Sequence, residues 1–217
     1  MLAAVHANSA PASAFLWRAA APALVLPERF ARGPGFADVA AARAAEGWPV
    51  TTRKTGGGIT PQGPGVVNLA LAFRVPPPRS RDIRGSYDAI CSPLIAALAA
   101  LGLRATAAPI TGSFCDGDHN LAVAGRKIAG TAQRWRGNAC LAHALILTDL
   151  DLAPAVAAVA RLSAGLGHDT EFRPDRHSRL ADLLASPANL PDRLATQVHK
   201  VLAAQGYTPW APTPARP

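Results

Sequence analysis

Apolar positions along the chain fall into short blocks separated by glycine, proline and charge. Ala14-Phe-Leu-Trp17 and Ala23-Leu-Val-Leu26 each stop at a charged or proline residue and read as strands. Beyond the Gly33-Pro-Gly35 turn, the Ala-rich stretch Phe36 to Glu46 carries Asp38 in its first turn and Gly47 at its end, as a helix does. Strands are expected around Trp48 to Thr52, from Val66 to Val75 and near Leu103 to Ala107, with a long apolar helix from Tyr87 to Leu101. Asn120-Leu-Ala-Val-Ala124 alternates with period two and puts Leu121 and Val123 on one face. A turn at Gly125-Arg126, the small-residue run Ile128 to Gln133, a basic turn Arg134-Trp-Arg136 and a core strand Ala139 to Leu147 follow. Helices Pro154 to Leu166 and Pro191 to Gln205 finish the pattern, joined by a polar connection, Arg173 to Arg179, that contains His177.

A chain of 217 residues can bury one sizeable core. The expected organisation is a disordered N-terminus over 1–13, one domain over 14–207 and a Pro-rich disordered tail over 208–217, with a linker at Pro76-Pro-Pro78 and Arg79-Ser-Arg81. A hydrophobic share of 49% against 17% charged residues marks a folded chain. The net charge of +8 is scattered and mostly arginine. It ranks solvated surface first, an acidic protein partner second and nucleic acid third, and no basic motif with interleaved aromatics is present. Three cysteines, an odd number without paired metal spacing, argue against a disulfide framework or a zinc site and fit a reducing cytoplasm. The N-terminus has no basic segment before its apolar stretch, and no apolar run reaches the roughly 18 residues of a membrane span.

Candidate chemistry concentrates between Gly112 and Gln133. Cys115 stands in the glycine-flanked loop Gly112-Ser-Phe-Cys115-Asp-Gly117, and Lys127 follows the turn at Gly125-Arg126. If these segments form a hairpin, the two side chains meet. An ammonium beside a thiol favours the thiolate and can hold negative charge on an acyl oxygen under attack. On residue types alone, a small buried cysteine and a solvated lysine are the commoner alternatives. A second candidate is Arg53-Lys-Thr-Gly56-Gly57-Gly58, whose backbone amides can approach a carboxylate, phosphate or thioester oxygen, or can form a plain loop. Cys91 sits on the long apolar helix and Cys140 near the start of a core strand; Cys91 reads as core. Asp149 and Asp151 lie at a strand end, and metal ligation there is disfavoured.

Gly125-Arg-Lys127-Ile-Ala-Gly130-Thr-Ala-Gln133 resembles the lysine motif of the biotin and lipoate protein ligase superfamily. Arg53-x-Thr-Gly56-Gly57-Gly58 ahead of Gly63-Pro-Gly65-Val-Val-Asn68 is similar to its other signature, in the same order. The Gly-Ser-aromatic-Cys loop, with the lysine twelve positions later, is similar to the cysteine-dependent octanoyl amidotransferases of that superfamily. The resemblance covers about Phe15 to Leu166. It implies an α+β fold, a mixed β-sheet flanked by helices, with Cys115 and Lys127 catalytic. It further implies that Arg53, Gly56, Gly57, Gly58, Asn68, Gly130, Thr131, Ala132 and His143 line the substrate site, although His143 reads equally as a satisfied core histidine. One departure is Gln62, where many members carry His.

Three functions remain open on that resemblance. One is an octanoyl or lipoyl transferase that works through a Cys115 thioester between lipoyl-domain donor and acceptor proteins, with no metal or nucleotide. Another is a lipoate-protein ligase that needs ATP and magnesium, with Lys127 on an acyl-adenylate. The third is an inactive carrier-binding protein. Basic residues near the pocket, Arg126, Arg134 and Arg136, are candidates for steering an acidic lipoyl domain.

Overall fold

The computed structural model describes residues 1–75, 81–168 and 170–211. In chain order the elements are helix α1 (Leu2–His6), strands β1 (Ser13–Trp17) and β2 (Ala23–Pro27), helix α2 (Phe36–Ala45), strands β3 (Val50–Arg53), β4 (Thr60–Gln62) and β5 (Val66–Arg74), and helix α3 (Ile83–Ala100). The second half adds strands β6 (Thr106–Ala108), β7 (Asn120–Val123), β8 (Arg126–Arg136) and β9 (Ala139–Leu147), helices α4 (Leu152–Gly165), α5 (Leu180–Leu183) and α6 (Leu190–Ala204), and strand β10 (Thr208–Pro209). Single turns of 3-10 helix occupy Phe30–Arg32 and Pro174–Arg176.

The strands form a mixed seven-stranded sheet, β10-β1-β5-β9-β8-β7-β6, and a three-stranded sheet, β3-β2-β4. With helices packed on them this is the expected α+β architecture. Period-two alternation divides the large sheet into two faces. Leu69 and Leu71 of β5 and Cys140, Ala142, Ala144 and Ile146 of β9 join Ile90, Leu94 and Leu98 of α3 and Leu194, Val198 and Leu202 of α6 in one core. The alternate positions, Asn68, Ala70, Leu141, His143 and Leu145, face a cavity bounded on its far side by Val25, Arg53 and Thr60 of the small sheet. A second core joins Leu24 and Leu26 of β2 to Val156, Val159 and Leu162 of α4.

Four expectations change. Leu2–His6 is helical rather than disordered, and Val5 is buried against Ala72 and Ala139. A helix of five residues is too short for its apolar spacing to register as a period. Arg134-Trp-Arg136 belongs to β8 and not to a turn, and so do Gly130, Thr131 and Ala132. The chain reverses at Gly137, which has φ 55°, while Trp135 stays in the strand and donates to Gln133 Oε1 at 2.7 Å. Helix α3 starts a turn early because the Asp82 side chain caps it, accepting the Gly85 N–H at 2.8 Å. Thr208 and Pro209 pair with Ser13 and Ala14 as an edge strand, where proline's missing N–H is tolerated. The linker at 76–80 and the tail from 212 lie outside the described residues.

Gly65 ties β5 to the end of β9. Its carbonyl accepts the Thr148 and Asp149 amides, both at 3.0 Å, and the Thr148 hydroxyl at 2.8 Å. A Cβ on Gly65 would lie 2.4 Å from the Asp149 carbonyl carbon, whereas one on Gly63 would meet nothing closer than Leu150 Cδ1 at 3.7 Å. Gly65→Ala should therefore lose about 1–3 kcal/mol or more in urea unfolding, while Gly63→Ala should stay within about 0.5 kcal/mol of the parent. Equal stability of the two variants would remove Gly65 as the junction.

Candidate active site

Cys115 is half-buried on the loop between β6 and β7 and has φ 49°, in the left-handed region that side chains avoid. Surrounding bonds hold it there. The Lys127 ammonium donates to the Phe114 carbonyl at 2.5 Å and to the Cys115 carbonyl at 3.0 Å. On the other side, Asp116 Oδ1 accepts the Ile110 amide at 2.8 Å and the Asn120 amide side chain at 3.1 Å. The structure thus brings Cys115 and Lys127 together, but the ammonium grips the backbone of the cysteine rather than its sulfur. Lys127 is fully buried, and the space for it comes from Gly130, where a Cβ would approach Cε to 3.1 Å and Nζ to 3.2 Å.

The sulfur meets the glycine loop. Gly58 N–H donates to Cys115 Sγ at 3.0 Å. A Cβ on Gly57, which has φ 96°, would stand 2.8 Å from Sγ, and one on Gly58 would stand 3.2 Å from the Cys115 Cα. Glycine is therefore called for at Gly57 by both its φ and the close sulfur, while a side chain at Gly58 would crowd the cysteine loop. Gly56 has nothing within 4 Å of its Cβ position. It contributes its carbonyl, which with that of Gly58 accepts Arg53 Nη2 at 3.0 and 2.7 Å. Arg53 Nη1 donates to the Val25 carbonyl at 3.0 Å and to Thr60 Oγ1 at 3.3 Å, so this guanidinium braces the loop from below.

Burial sets the protonation of the neighbours. Desolvation draws Lys127 down to about 8, against the opposing pull of Cys115 and Asp116. It draws His143 down to about 4, assisted by the Arg53 charge, and His177 to about 4, assisted by Lys127. Cys91 and Cys140 are pushed up to about 11 by burial and stay as thiols. Cys115 alone of the three cysteines stands half-exposed, with an amide aimed at its sulfur.

Two concavities meet at Cys115. The first has a volume of 560 Å³, lies between the sheets and is mainly apolar, with Arg53, Asn68, Gly130, Thr131, Ala132 and His143 in its wall. In the paired strands His143 is flanked by Ala70 and Ala132, and Leu145 by Asn68 and Gly130, so small side chains leave the volume open. Thr131 Oγ1 donates to the His119 carbonyl at 2.7 Å, and His143 Nε2 lies 2.7 Å from Thr55 Oγ1. Gln62 and Asn68 exchange two amide hydrogen bonds at 2.9 and 2.8 Å. The second is a cleft of 1010 Å³ with Gly57, Gly58, Asp116, Arg29, Arg173 and Arg176 along it. Gly57 and Gly58 thus line this wider cleft and not the apolar cavity between the sheets.

His177, which the sequence places only in a polar connection, is buried against this site. It bridges to Lys127 as an isolated β pair, stacks on Phe114 at 4.4 Å and accepts the Phe114 N–H at 3.2 Å. No period or motif marks it. Asp149 is paired with Arg179 at 3.2 Å. Among the described residues no group of three or more His, Cys, Asp or Glu side chains is placed to hold a metal, and no helix is long and apolar enough to cross a membrane.

Residues 2–197 match the family model of the lipoyl protein ligase A/B catalytic domain. The chain is 42% identical over 125 residues to an uncharacterised protein of Cupriavidus necator, covering 56% of this chain and 49% of that protein. It is 44% identical over 95 residues to an octanoyl-GcvH:protein N-octanoyltransferase of Kyrpidia tusciae, covering 44% of this chain and 32% of that enzyme. These matches thus span half or less of the relatives' length. A crystal structure of lipoate-protein ligase A bound with ATP superposes with a TM-score of 0.74 at 16% identity, covering 98% of this chain and 81% of the other, and so shares its fold.

The buried ammonium has a measurable signature. Lys127 releases its proton at about 8 in the folded chain and at 10.5 when exposed. Between those values the unfolded state binds the extra proton, so this lysine makes stability rise with pH. The unfolding free energy of the parent relative to Lys127→Met should climb from pH 8 to pH 10; Cys91 and Cys140 act in the opposite sense but are common to both proteins. A difference that stays flat across that window would show the lysine to be solvated.

Proposed function

The chain belongs to the lipoyl protein ligase A/B catalytic domain family, and within it we propose that this protein moves an octanoyl group onto a lysine of a lipoyl-domain protein through a thioester on Cys115. The observation that carries this reading is the position of the Cys115 sulfur where an apolar cavity and a wider cleft bearing Arg29, Arg173 and Arg176 meet, with the Gly58 N–H aimed at it. The resemblance to an octanoyl-GcvH:protein N-octanoyltransferase supports the substrate class.

In the first step the thiolate attacks the carbonyl of the octanoyl-lysine amide on a donor. The C–N bond breaks, and the proton from the thiol leaves with the donor amine. In the second step the amine of the acceptor lysine attacks the thioester. The C–S bond breaks, a new amide forms, and the amine's proton returns to sulfur. One amide is exchanged for another, so no energy source is needed, and splitting the transfer in two lets each partner dock separately. Lys127 spends two of its three protons on the Phe114 and Cys115 carbonyls. In this reading the third serves the acyl oxygen, which enters beside Gly130. His143, Asn68 and the small residues of β8 form the walls around the acyl chain, and the cleft admits the lysine arm of the partner.

The alternative, a ligase that forms an acyl-adenylate with ATP, draws on the same fold. It asks the glycine loop to cradle phosphate. The Gly58 amide is already committed to the Cys115 sulfur, and the Arg53 guanidinium to four oxygens of the loop and the small sheet. These donors fit a cysteine nucleophile better than a nucleotide phosphate.

Intact-protein mass spectrometry after mixing with an octanoylated lipoyl domain should show an octanoyl adduct on the parent without ATP. The adduct should be absent in Cys115→Ser and retained in Cys91→Ser and Cys140→Ser. Normal transfer by Cys115→Ser in the presence of ATP would favour the ligase. Arg134, exposed on β8 at the mouth of the apolar cavity, and Arg136 two residues on are placed to meet an acidic partner. Reversing both charges should slow transfer to the acceptor, as raising salt does when the screening length shrinks from about 10 Å at 0.1 M to about 3 Å at 1 M. Thioester formation from a small acyl donor should be unmoved by either change, and equal insensitivity of both steps would remove the arginines from docking.

A further inference from the structure

The loop that carries Cys115 is clamped by a segment arriving from far along the chain. Residues 173–178 run between this loop and β8. Arg173 N–H donates to the Gly112 carbonyl at 2.9 Å, Arg176 Nε to the Thr111 carbonyl at 2.9 Å, and Ser178 N–H to the Lys127 carbonyl at 2.8 Å. At the centre lies His177, with only 2% of its surface exposed. Its Nδ1 sits 3.0 Å from the Arg173 carbonyl, which can only accept, so Nδ1 carries the proton. Nε2 is therefore bare, and it accepts the Phe114 N–H at 3.2 Å. Both partners of the ring are fixed backbone groups, so tautomer and orientation are determined together.

We infer that His177 is the positioning residue of the nucleophile, acting through the Phe114 peptide rather than touching the acyl group. Three of the four backbone polar groups of Phe114 and Cys115 are pinned: the Phe114 N–H by His177, and the Phe114 and Cys115 carbonyls by Lys127. The Phe114 ring is held as well, with its centroid 4.4 Å from that of the imidazole and 5.0 Å from the Lys127 ammonium. This matters because Cys115 has φ 49°. A non-glycine residue keeps such a conformation only where its surroundings over-determine it. Without an acceptor the buried Phe114 amide is left unpaired, which is itself unfavourable. The segment then relaxes toward ordinary φ, and relaxation there turns Cys115 Sγ away from the Gly58 N–H.

The inference rests on Cys115 as nucleophile, and two variants isolate it. His177→Gln places an amide oxygen where Nε2 lies and preserves an acceptor for Phe114. His177→Asn places its amide at the Nδ1 position, retaining the bond to Arg173 and losing the one to Phe114. Both lose the ring alike, so a purely structural role would affect them alike. With the full chain and an octanoylated lipoyl domain as donor, single-turnover thioester formation in His177→Asn should fall roughly tenfold to hundredfold, with KM for the donor within about twofold and His177→Gln within about threefold of the parent. Should His177→Asn fail to fold, His177→Phe, which keeps the stack and lacks both nitrogens, takes its place with the same expectation. Equal rates for the Gln variant and its partner, or a loss confined to KM, would overturn the positioning role. Cys115→Ser separates the two readings: full transfer by that variant removes the nucleophile itself, whereas a dead Cys115→Ser beside equal His177 variants removes only the positioning.

Discussion

An ammonium buried without a carboxylate in direct contact among the described residues is the constraint around which this site is built. Lys127 finds its partners in two backbone carbonyls of the cysteine loop. Those bonds explain why the loop lies where it does and why Gly130 has no side chain. They also explain why the imidazole next to it stays neutral, since a second cation in that dry space would be opposed by desolvation and by Lys127 alike. A charge that is costly to bury marks a candidate functional site.

The large sheet supplies the second half of the design. Its period of two sends one set of residues into the core beneath α3 and α6 and the other set into the cavity between the sheets. The composition follows from that division. β9 is apolar on both faces because both are enclosed, yet the cavity-facing rows are kept open by Ala70, Gly130 and Ala132 beside His143 and Leu145. The small residues on these rows thus have a local use here, in keeping the cavity open.

Much of this was legible in the residues. Strands with clear apolar blocks, such as β1, β2 and β9, fall where the pattern put them, and the spacing of Cys115 and Lys127 pointed to one site because a hairpin can bring such positions together. What escaped notice shares a physical cause. His177 is recruited through long-range backbone bonds that leave no local period, α1 is too short to show one, and β10 is an edge pair of two residues whose partner lies at the other end of the chain. The glycine triplet suggested a cradle for a ligand. Its middle and last members are glycine because another loop presses on them, a reason no single-segment reading can supply.

The contacts on Cys115 come from residues 57–58 and 127, and residue 177 adds one on the neighbouring Phe114 amide, so the loop draws its restraints from segments far apart along the chain. A nascent chain that ends before residue 177 already contains the cysteine, the glycine loop and the lysine, but nothing yet accepts the Phe114 amide. The left-handed turn at Cys115 then lacks one of its restraints. Closure of the turn around Cys115 therefore draws on three segments at once, and only a chain that extends past residue 177 supplies all of its restraints.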